Sequence, residues 1–499
     1  MGAALVALCC LAAPAARASA TQESLVEDER AMLQASPLAR AQALDDAAAL
    51  GADGVRAIVR WRDIAPAANA ARRPAGFDPA DPGEYAAAVW DPLDDLVRGT
   101  QARGLSLLLS PSTPIPAWAS RCHGSPALRR LCAPDARQYG AFLRALGRRY
   151  SGAFADENQG VGVLPRVTRW SFANEPNQAT WLLPQRSRRS GRVYPAAAVA
   201  YRAMVRAGIA ALRATGHGAD RMLLGETSPI GRRTGRLLRR STPPATFIRT
   251  MLCIDARGRA LRGRAAAIRS CRRFKRLAVT GFAHHPYAQG GSRPPAFRGD
   301  PATEITLASS RRLERLLDAG ATRGRIPAAL PIHYTEHGFQ SSPPDAAFGV
   351  SLARQAAYVN ESDWIAYRDP RVQTVAQYKL VDDPLVSGFQ SGLRFADGRP
   401  KPAYDAYRLP LWVARKGASR LRIYGQVRPL APGAATRVEL QNAPLAGGAF
   451  RTVARLGVRS GNNTFVRTVP RFEGRFRLRW TPPGGGPPLV SREARIAPG

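Results

Sequence analysis

Lysine is scarce in this 499-residue chain: four of its 73 basic residues are lysines, at positions 275, 379, 401 and 416. The 37 acidic residues leave a formal net charge of +36. Such a charge would attract anionic polymers without specificity. The arginines are spread over every segment, however, and alanine, glycine and proline, which also use GC-rich codons, are abundant too. Codon bias is therefore the favoured explanation. No nucleic-acid-binding motif is present, so we expect no specific nucleic-acid partner.

Long apolar runs are also missing. After residue 20, no run reaches the ~18 residues that a membrane-spanning helix needs. The first twenty residues have an apolar core and end in the small residues Ala18-Ser19-Ala20. This pattern predicts a secretory signal over residues 1–20 and hence a secreted, extracellular protein. The usual basic start is absent, which leaves an alanine-rich leader without signal function as the alternative.

Cysteine is rare, and its spacing limits what it can do. Beyond the leader there are four cysteines, in two close pairs, and neither pair has the C-x-x-C spacing of a zinc site. An even number in an exported chain predicts the disulfides Cys122–Cys132 and Cys253–Cys271. Metal binding by His284, His285 and His333 is disfavoured, because no further ligand follows at metal-site spacing. We predict no metal and no cofactor.

Three predicted strands end in polar, titratable groups. Val167–Pro176 reads VTRWSFANEP, Ala278–Tyr287 reads AVTGFAHHPY, and Pro331–Gln340 reads PIHYTEHGFQ. In α/β folds with parallel sheets, ligands and chemistry collect at the carboxyl ends of strands. The ends of these strands are therefore the candidate functional site.

The three motifs resemble those of the clan A glycoside hydrolases, in which strand four ends in Asn-Glu-Pro, strand six in His-x-Tyr and strand seven in Thr-Glu-x-Gly. The resemblance covers roughly residues 25–409. Glu175 and Glu336 are 161 positions apart (336 − 175), or about 54 per β/α unit, which suits a barrel with loop insertions. The resemblance implies a (β/α)8 TIM barrel over residues 21–413.

The resemblance also implies the roles of the site residues. Glu175 would be the general acid/base and Glu336 the nucleophile of a retaining, double-displacement glycosidase. Asn174 would hold the sugar's 2-hydroxyl, while Arg56, His285 and Tyr287 would surround the nucleophile. Glu226, at the end of strand five, is interpreted as a supporting or structural residue because the clan's pair lies elsewhere.

Three aromatic residues are candidate sugar contacts. Trp118 ends a Pro-Ile-Pro-Ala-Trp segment that resembles the clan's Pro-x-Trp loop, and Trp181 lies on the loop after Glu175. For both, ordinary packing remains an alternative. Gln377 and Tyr378 occupy the end of strand eight, where many members of the clan have a tryptophan below the sugar. Tyr378 is therefore a candidate substrate contact.

From residue 414 onward the pattern changes to short alternating strands separated by Gly/Pro turns. This predicts a small β-sandwich of immunoglobulin or fibronectin type over residues 414–499, either passive or sugar-binding. We thus expect a secreted, monomeric glycosidase that acts on a polysaccharide or glycoside. The alternative is a non-catalytic carbohydrate- or cell-wall-binding protein that keeps the barrel.

Overall fold

The structure is a computed structural model, and it describes residues 19, 21–232, 234–236, 239–288, 293–459 and 461–497. The predicted signal segment lies outside the described residues, apart from Ser19. Within the described ranges, no helix has both the length and the apolar character needed to cross a membrane.

Eight parallel strands close into a barrel in which every strand pairs with its neighbours in the chain, and β8 pairs with β1. The fold is therefore the predicted TIM barrel. The strands β1 to β8 are Glu23–Glu27, Gly54–Arg60, Ser106–Ser112, Arg169–Ser171, Arg221–Thr227, Gly281–His284, Ile332–His337 and Val372–Tyr378.

Helices α1 to α8 lie on the outside of the barrel and cover an apolar core between helix and strand. They span Pro37–Ala49, Asp91–Ala102, Ala136–Arg149, Ala196–Ala214, Pro244–Met251, Ser310–Thr322, Leu352–Tyr367 and Pro402–Arg408. Shorter helical segments are Arg30–Gln34, Trp61–Ile64, Pro82–Glu84, Ala87–Val89, Ala117–Ala119, Pro126–Arg129, Gly263–Ile268 and Leu307–Ser309.

The barrel interior is layered, because residues two apart on a strand point to the same side. At the amino-terminal end, Glu23 pairs with Arg169 at 2.9 Å and with Arg221 at 2.6 Å. An apolar layer follows, made of Leu25, Leu108, Leu223, Ala283 and Ala376. Charged residues return above this layer, starting with Glu27 on β1, which pairs with Arg56. The apolar layer thus separates two charged ends of the barrel.

Residues 245–276, between β5 and β6, have a sequence pattern that predicts helical structure, but the structure interrupts the helix. The structure has α5, an irregular loop and then the short helix Gly263–Ile268. Cys253 and Gly258 have φ values of 57° and 71°, which a right-handed helix does not allow. Both predicted disulfides are present in the structure, and Cys253–Cys271 closes this loop.

The carboxyl-terminal region forms two antiparallel sheets around a separate apolar core. Strand β9, Leu411–Arg415, pairs with β10, Arg420–Gln426, so it crosses the predicted domain boundary at 413/414. The remaining strands, β11 to β15, are Thr436–Ala443, Arg451–Val458, Thr464–Pro470, Arg475–Trp480 and Leu489–Val490. Two short strand pairs in the described residues are separate from the barrel and from the carboxyl-terminal sheets. They are the hairpin Ser187–Arg189 with Arg192–Tyr194, and Ser341–Ser342 with Val350–Ser351.

The carboxyl-terminal region is attached to the barrel through a buried arginine. Arg428 donates to Ser24 Oγ at 2.8 Å and to Asp363 Oδ1 at 2.8 Å. Ser24 belongs to the amino-terminal half of β1, and Asp363 belongs to α7. The attachment therefore reaches the barrel away from the carboxyl ends of its strands.

Candidate active site

The carboxyl ends of the barrel strands bring together a compact cluster of charged side chains. Arg56 comes from β2, Asn174 and Glu175 follow β4, His285 follows β6, and Glu336 ends β7. The sequence placed Arg56 near the start of its strand and the other four residues at strand ends, and the closed barrel brings all five into one cluster. Glu27 on β1 and Glu226 on β5 join the same cluster.

The backbone that carries Glu175 adopts an unusual conformation. Ala173 has φ 52° and Glu175 has φ 37°, a left-handed region that costs most non-glycine residues energy. Ala173 N–H donates to Pro111 O at 3.0 Å, and Asn174 N–H donates to Ser112 Oγ at 2.8 Å. These bonds to β3 hold the turn in place. Strain of this kind is concentrated at functional sites in proteins.

Arg56 is fully buried at the centre of the cluster. Its guanidinium donates to Glu27 Oε2, to Asn174 Oδ1 at 2.7 Å and to Glu226 Oε2 at 3.0 Å. It also reaches Glu336 Oε2 at 3.3 Å. Although burial opposes the charged form, these carboxylates raise the pKa of Arg56 above its usual value. Arg56 is therefore a fixed positive charge beneath the site.

His285 joins both candidate catalytic glutamates to Glu226. Its Nδ1 lies 3.1 Å from Glu175 Oε1 and 3.4 Å from Glu336 Oε2, while Nε2 lies 2.8 Å from Glu226 Oε2. Burial disfavours the imidazolium, but the three carboxylates outweigh this and raise the pKa of His285 to about 10. At neutral pH the ring is positively charged, and both of its nitrogens donate.

Glu336 receives more hydrogen-bond donors than Glu175. Tyr287 OH donates to Glu336 Oε1 at 2.9 Å, and Arg56 and His285 face Glu336 Oε2. Burial raises the pKa of Glu336 and the Glu175 carboxylate adds to this, while His285, Arg56 and Tyr287 act in the opposite direction. His285 and Tyr287 are two residues apart and so point to the same side of the chain, where both contact Glu336.

Glu175 and Glu336 lie close together at the mouth of the site. Each has a carboxylate oxygen within 4.8 Å of the other's and of a nitrogen of His285. Both side chains keep some solvent contact, 17% for Glu175 and 12% for Glu336. The carboxyl groups of glycosidases lie about 5–5.5 Å apart for retention and about 6.5–9.5 Å apart for inversion, and an approach of two oxygens to within 4.8 Å fits the shorter spacing.

Glu226 is more central than its sequence position suggested. Gly225 and Glu226 have φ values of 117° and 47°, and the β5–β6 register shifts at this point. This bulge turns Glu226 inward, where Thr335 Oγ1 also donates to it at 2.6 Å. Burial opposes ionisation, but Arg56 and His285 lower the pKa of Glu226 to about 2.

Sequence reasoning overlooked Glu27, which is fully buried against Arg56. Burial raises its pKa well above the usual value, and the Glu336 charge adds to this against the pull of Arg56 and His285. The signal was available, because the pattern of residues 22–28 predicts a first strand, on which Glu27 lies two residues beyond Leu25 and must point the same way. An acidic residue in an otherwise buried strand needs a partner.

The two candidate tryptophans have different surroundings. Trp118 is only 8% exposed, its ring packs edge-on against Trp61 and Phe77, and its Nε1–H donates to Pro66 O at 3.1 Å. These contacts fit the packing alternative and leave little ring face for a sugar. Trp181 is half-buried on the loop after Glu175, with the Arg60 guanidinium 5.8 Å from its ring. Trp181 remains a predicted sugar contact.

The other two histidines of the sequence analysis are structural. His284 is buried between Thr227 Oγ1 at 2.8 Å and Ile305 O at 2.9 Å, and burial lowers its pKa to about 4. His333 bonds Thr374 Oγ1 at 2.8 Å, and burial lowers its pKa to about 3. Both are therefore neutral core residues outside the charged cluster around Arg56 and His285.

Glu175, His285 and Glu336 have the donor types of a metal site. Their contacts nevertheless fit an acid–base cluster better than a metal centre. An imidazolium has no free lone pair for a metal ion, and the pKa of His285 near 10 keeps it in that form. Tyr287 and Arg56 also direct hydrogens at Glu336.

A surface cleft of about 820 Å³ lies between α1 and the segment after β8. Its acids already have partners: Asp46 bonds Arg394 at 2.6 Å, and Asp45 bonds Arg103 at 2.7 Å. The cleft contains none of the residues of the charged cluster around Arg56 and His285. We therefore locate the functional site at the barrel mouth.

The chain is similar in structure to several glycosidases. It is 17% identical to an exo-beta-1,4-mannosidase from Opitutaceae bacterium strain TAV5, with a TM-score of 0.44 over 77% of this chain and 58% of that one. It is 17% identical to GH5_18 from Streptomyces cattleya in complex with GlcNAc, with a TM-score of 0.45 over 78% of this chain and 79% of that one. It is 15% identical to a monomeric beta-xylosidase from Caulobacter crescentus CB15, with a TM-score of 0.45 over 91% of this chain and 95% of that one.

No family model and no curated protein matches the sequence. Likeness at these identities and TM-scores establishes neither an activity nor a substrate. The ground for a function is therefore the contacts of the two glutamates with each other and with His285.

Proposed function

We propose that this protein is a secreted retaining glycosidase that hydrolyses O-glycosidic bonds with Glu175 as acid/base and Glu336 as nucleophile. The observation that carries the proposal is the close approach of the two carboxylates, within 4.8 Å, at the carboxyl ends of the barrel strands. Such a separation leaves no room for a water molecule between a carboxylate and the sugar, so direct attack by the carboxylate is favoured.

The donors around the pair support this division of roles. Hydrolysis by a pair of glutamates needs one carboxyl group protonated and the other ionised, and close approach favours this division because two neighbouring carboxylate charges repel each other. The charged form of Glu336 is stabilised by Arg56, Tyr287 and His285, whereas among the described residues the Glu175 side chain bonds His285. We therefore assign Glu336 as the nucleophile and Glu175 as the acid/base.

In the first step, a Glu336 oxygen attacks the anomeric carbon and forms a glycosyl ester. The bond to the leaving oxygen breaks as Glu175 gives its proton to that oxygen. In the second step, Glu175 takes a proton from water while the water oxygen attacks the anomeric carbon and releases Glu336. The net reaction adds one water across the glycosidic bond and returns both carboxyl groups to their starting states.

Asn174 is positioned to bind the sugar beside the reacting carbon. Its Oδ1 is held by Arg56 at 2.7 Å, which fixes the amide orientation and leaves the NH₂ group for the substrate. Hydrogen bonds to the sugar's 2-hydroxyl strengthen as charge develops at the anomeric carbon. Trp181, on the loop after Glu175, suits the leaving-group side, and half-buried Tyr378 borders the Glu336 side.

Export is the other part of the proposal. The two disulfides fit an oxidising compartment, where such bonds form and persist. We expect the mature chain to begin near residue 21, which peptide mapping of the secreted protein tests.

A panel of aryl glycosides tests the activity, with NMR used to identify the anomer of the first-formed product. We expect turnover with retention of configuration, and none in the Glu336→Gln variant. Release of the inverted anomer would contradict the mechanism. Binding to insoluble glycans without turnover on any aryl or oligosaccharide substrate would instead favour a non-catalytic carbohydrate-binding protein.

A further inference from the structure

The loop after β8 displays three apolar side chains to solvent. Leu385 is 69% exposed, Val386 55% and Phe389 52%. Single exposed apolar residues are common, but three within one five-residue turn form a patch, and such patches mark binding surfaces. We name Leu385, Val386 and Phe389 the apolar rim.

The loop is braced so that the apolar rim is held in place. The Asp383 carboxylate accepts from Phe389 N–H at 2.8 Å and from the Lys379 ammonium. The buried Gln390 amide donates to Leu385 O at 2.8 Å and to Asp383 O at 3.2 Å. A flexible loop could turn its apolar side chains inward, whereas these hydrogen bonds keep the rim side chains exposed.

The apolar rim is continuous with the candidate catalytic centre through aromatic rings. Phe389 packs edge-on against Tyr378 with centroids 5.2 Å apart, and Tyr378 packs edge-on against Tyr287 at 6.5 Å. The Tyr287 hydroxyl then donates to Glu336 at 2.9 Å. A group bound on the rim would thus be close to the sugar that Glu336 attacks.

The position of the rim relative to the two glutamates determines which part of the substrate meets it. The leaving group departs on the Glu175 side, where Trp181 follows in the chain. The rim is joined to the Glu336 side, so it faces the sugar that is transferred. The three side chains of the rim carry no charge and are exposed, which suits an uncharged, apolar partner.

We propose that the apolar rim binds an uncharged apolar substituent, such as a fatty acyl group, carried by the transferred sugar. This inference rests on the proposed glycosidase function and names the substrate class of that site. Burial of the acyl methylenes against the rim would add binding energy that a plain sugar lacks.

The test compares two aryl glycosides of the sugar found active, one plain and one with an octanoyl ester on a sugar hydroxyl. We expect kcat/KM to be at least about tenfold higher for the acylated substrate. Leu385→Ser should bring this ratio close to one. Leu445→Ser, which removes an equally apolar side chain that is 57% exposed in the carboxyl-terminal region, should leave the ratio unchanged.

Three outcomes would overturn the inference. The first is turnover of plain glycosides with equal kcat/KM for both substrates, which leaves the glycosidase proposal intact. The second is a gain seen only when the chain is on the leaving group, as in an octyl glycoside. The third is Leu385-dependent sedimentation with phosphatidylcholine vesicles without any chain preference. Absence of turnover on every glycoside would contradict the glycosidase proposal itself.

Discussion

His285 Nε2 lies 2.8 Å from Glu226 Oε2, and neither side chain reaches solvent. This contact places a third carboxylate behind the two candidate catalytic glutamates. Burial lowers the pKa of His285, but Glu336, Glu175 and Glu226 together raise it. Because Nδ1 of the same ring faces Glu175 and Glu336, Glu226 helps to keep protonated the imidazole that contacts both. Glu226 is thus a positioning residue that acts through His285.

Glu226→Gln should change the pH dependence of stability above pH 6.5. Unfolded histidine has a pKa near 6.5, whereas the folded pKa of His285 is raised to about 10. The raised pKa contributes stability that is fully present below about pH 6.5 and is lost as the pH rises through about 10. In Glu226→Gln the folded pKa of His285 should be lower, so the loss of stability should be complete at a lower pH. Urea unfolding between pH 6 and 10 measures this.

Glu23→Gln is the matched control for Glu226→Gln. Glu23 is also an acidic strand residue paired with arginines, but it lies at the other end of the barrel, beyond the apolar layer. The pH profile of stability above 6.5 should keep its wild-type shape in this variant. Superimposable profiles for Glu226→Gln and wild type would show that Glu226 does not hold the charge on His285.

Arg428→Met should destabilise the folded protein by about 3–5 kcal/mol, because it strands the buried Asp363 carboxylate. A matched control is Arg437→Met, which alters an exposed arginine of the same region. Adding Asp363→Asn to Arg428→Met should recover part of the loss. Equal unfolding midpoints for Arg428→Met and Arg437→Met would contradict a stabilising role for the attachment.

Removing residues 411–499, from the start of β9, should leave bond cleavage intact, because the candidate catalytic groups all precede residue 411. The truncated barrel should be less stable, since it loses the Arg428 contacts to Ser24 and Asp363. Turnover of small soluble glycosides and thermal unfolding measure the two effects. A truncated protein that is folded by circular dichroism but lacks all turnover would show that the region is needed for catalysis.

Reduction of Cys253–Cys271 should cost about 3 kcal/mol, because the bond closes an 18-residue separation in the unfolded chain. Arg202 is buried beneath it and donates to Thr250 O at 3.0 Å and Arg269 O at 2.6 Å, so the loop also covers a charge. The Cys253→Ser/Cys271→Ser variant should unfold at lower urea concentration, and reductant should shift wild type in the same direction. Free thiols at both positions in secreted protein would contradict the bond.

Strand positions and the Glu175–Glu336 pair follow from local patterns. Each glutamate comes after an apolar alternating run, with Pro176 directly after Glu175 and Gly338 two residues after Glu336, and these residues end the strands. The alternation of side chains along a strand does not predict that Glu226 points inward, because the bulge at Gly225 breaks the two-residue period. Glu27 obeys that period and was overlooked. The failed helix over 245–276 shows that left-handed residues such as Cys253 leave no clear signal in sequence.

The central claim is tested most directly by comparing Glu175→Gln and Glu336→Gln on two glycosides of one sugar, one with an activated aryl leaving group and one with an alkyl leaving group. Glu336→Gln should abolish turnover of both, because no nucleophile remains. Glu175→Gln should lose turnover of the alkyl glycoside but keep formation of the glycosyl-enzyme from the aryl glycoside, whose leaving group needs little protonation. Wild-type rates in both variants, or survival of Glu336→Gln on the aryl glycoside with Glu175→Gln inactive, would contradict the assignment.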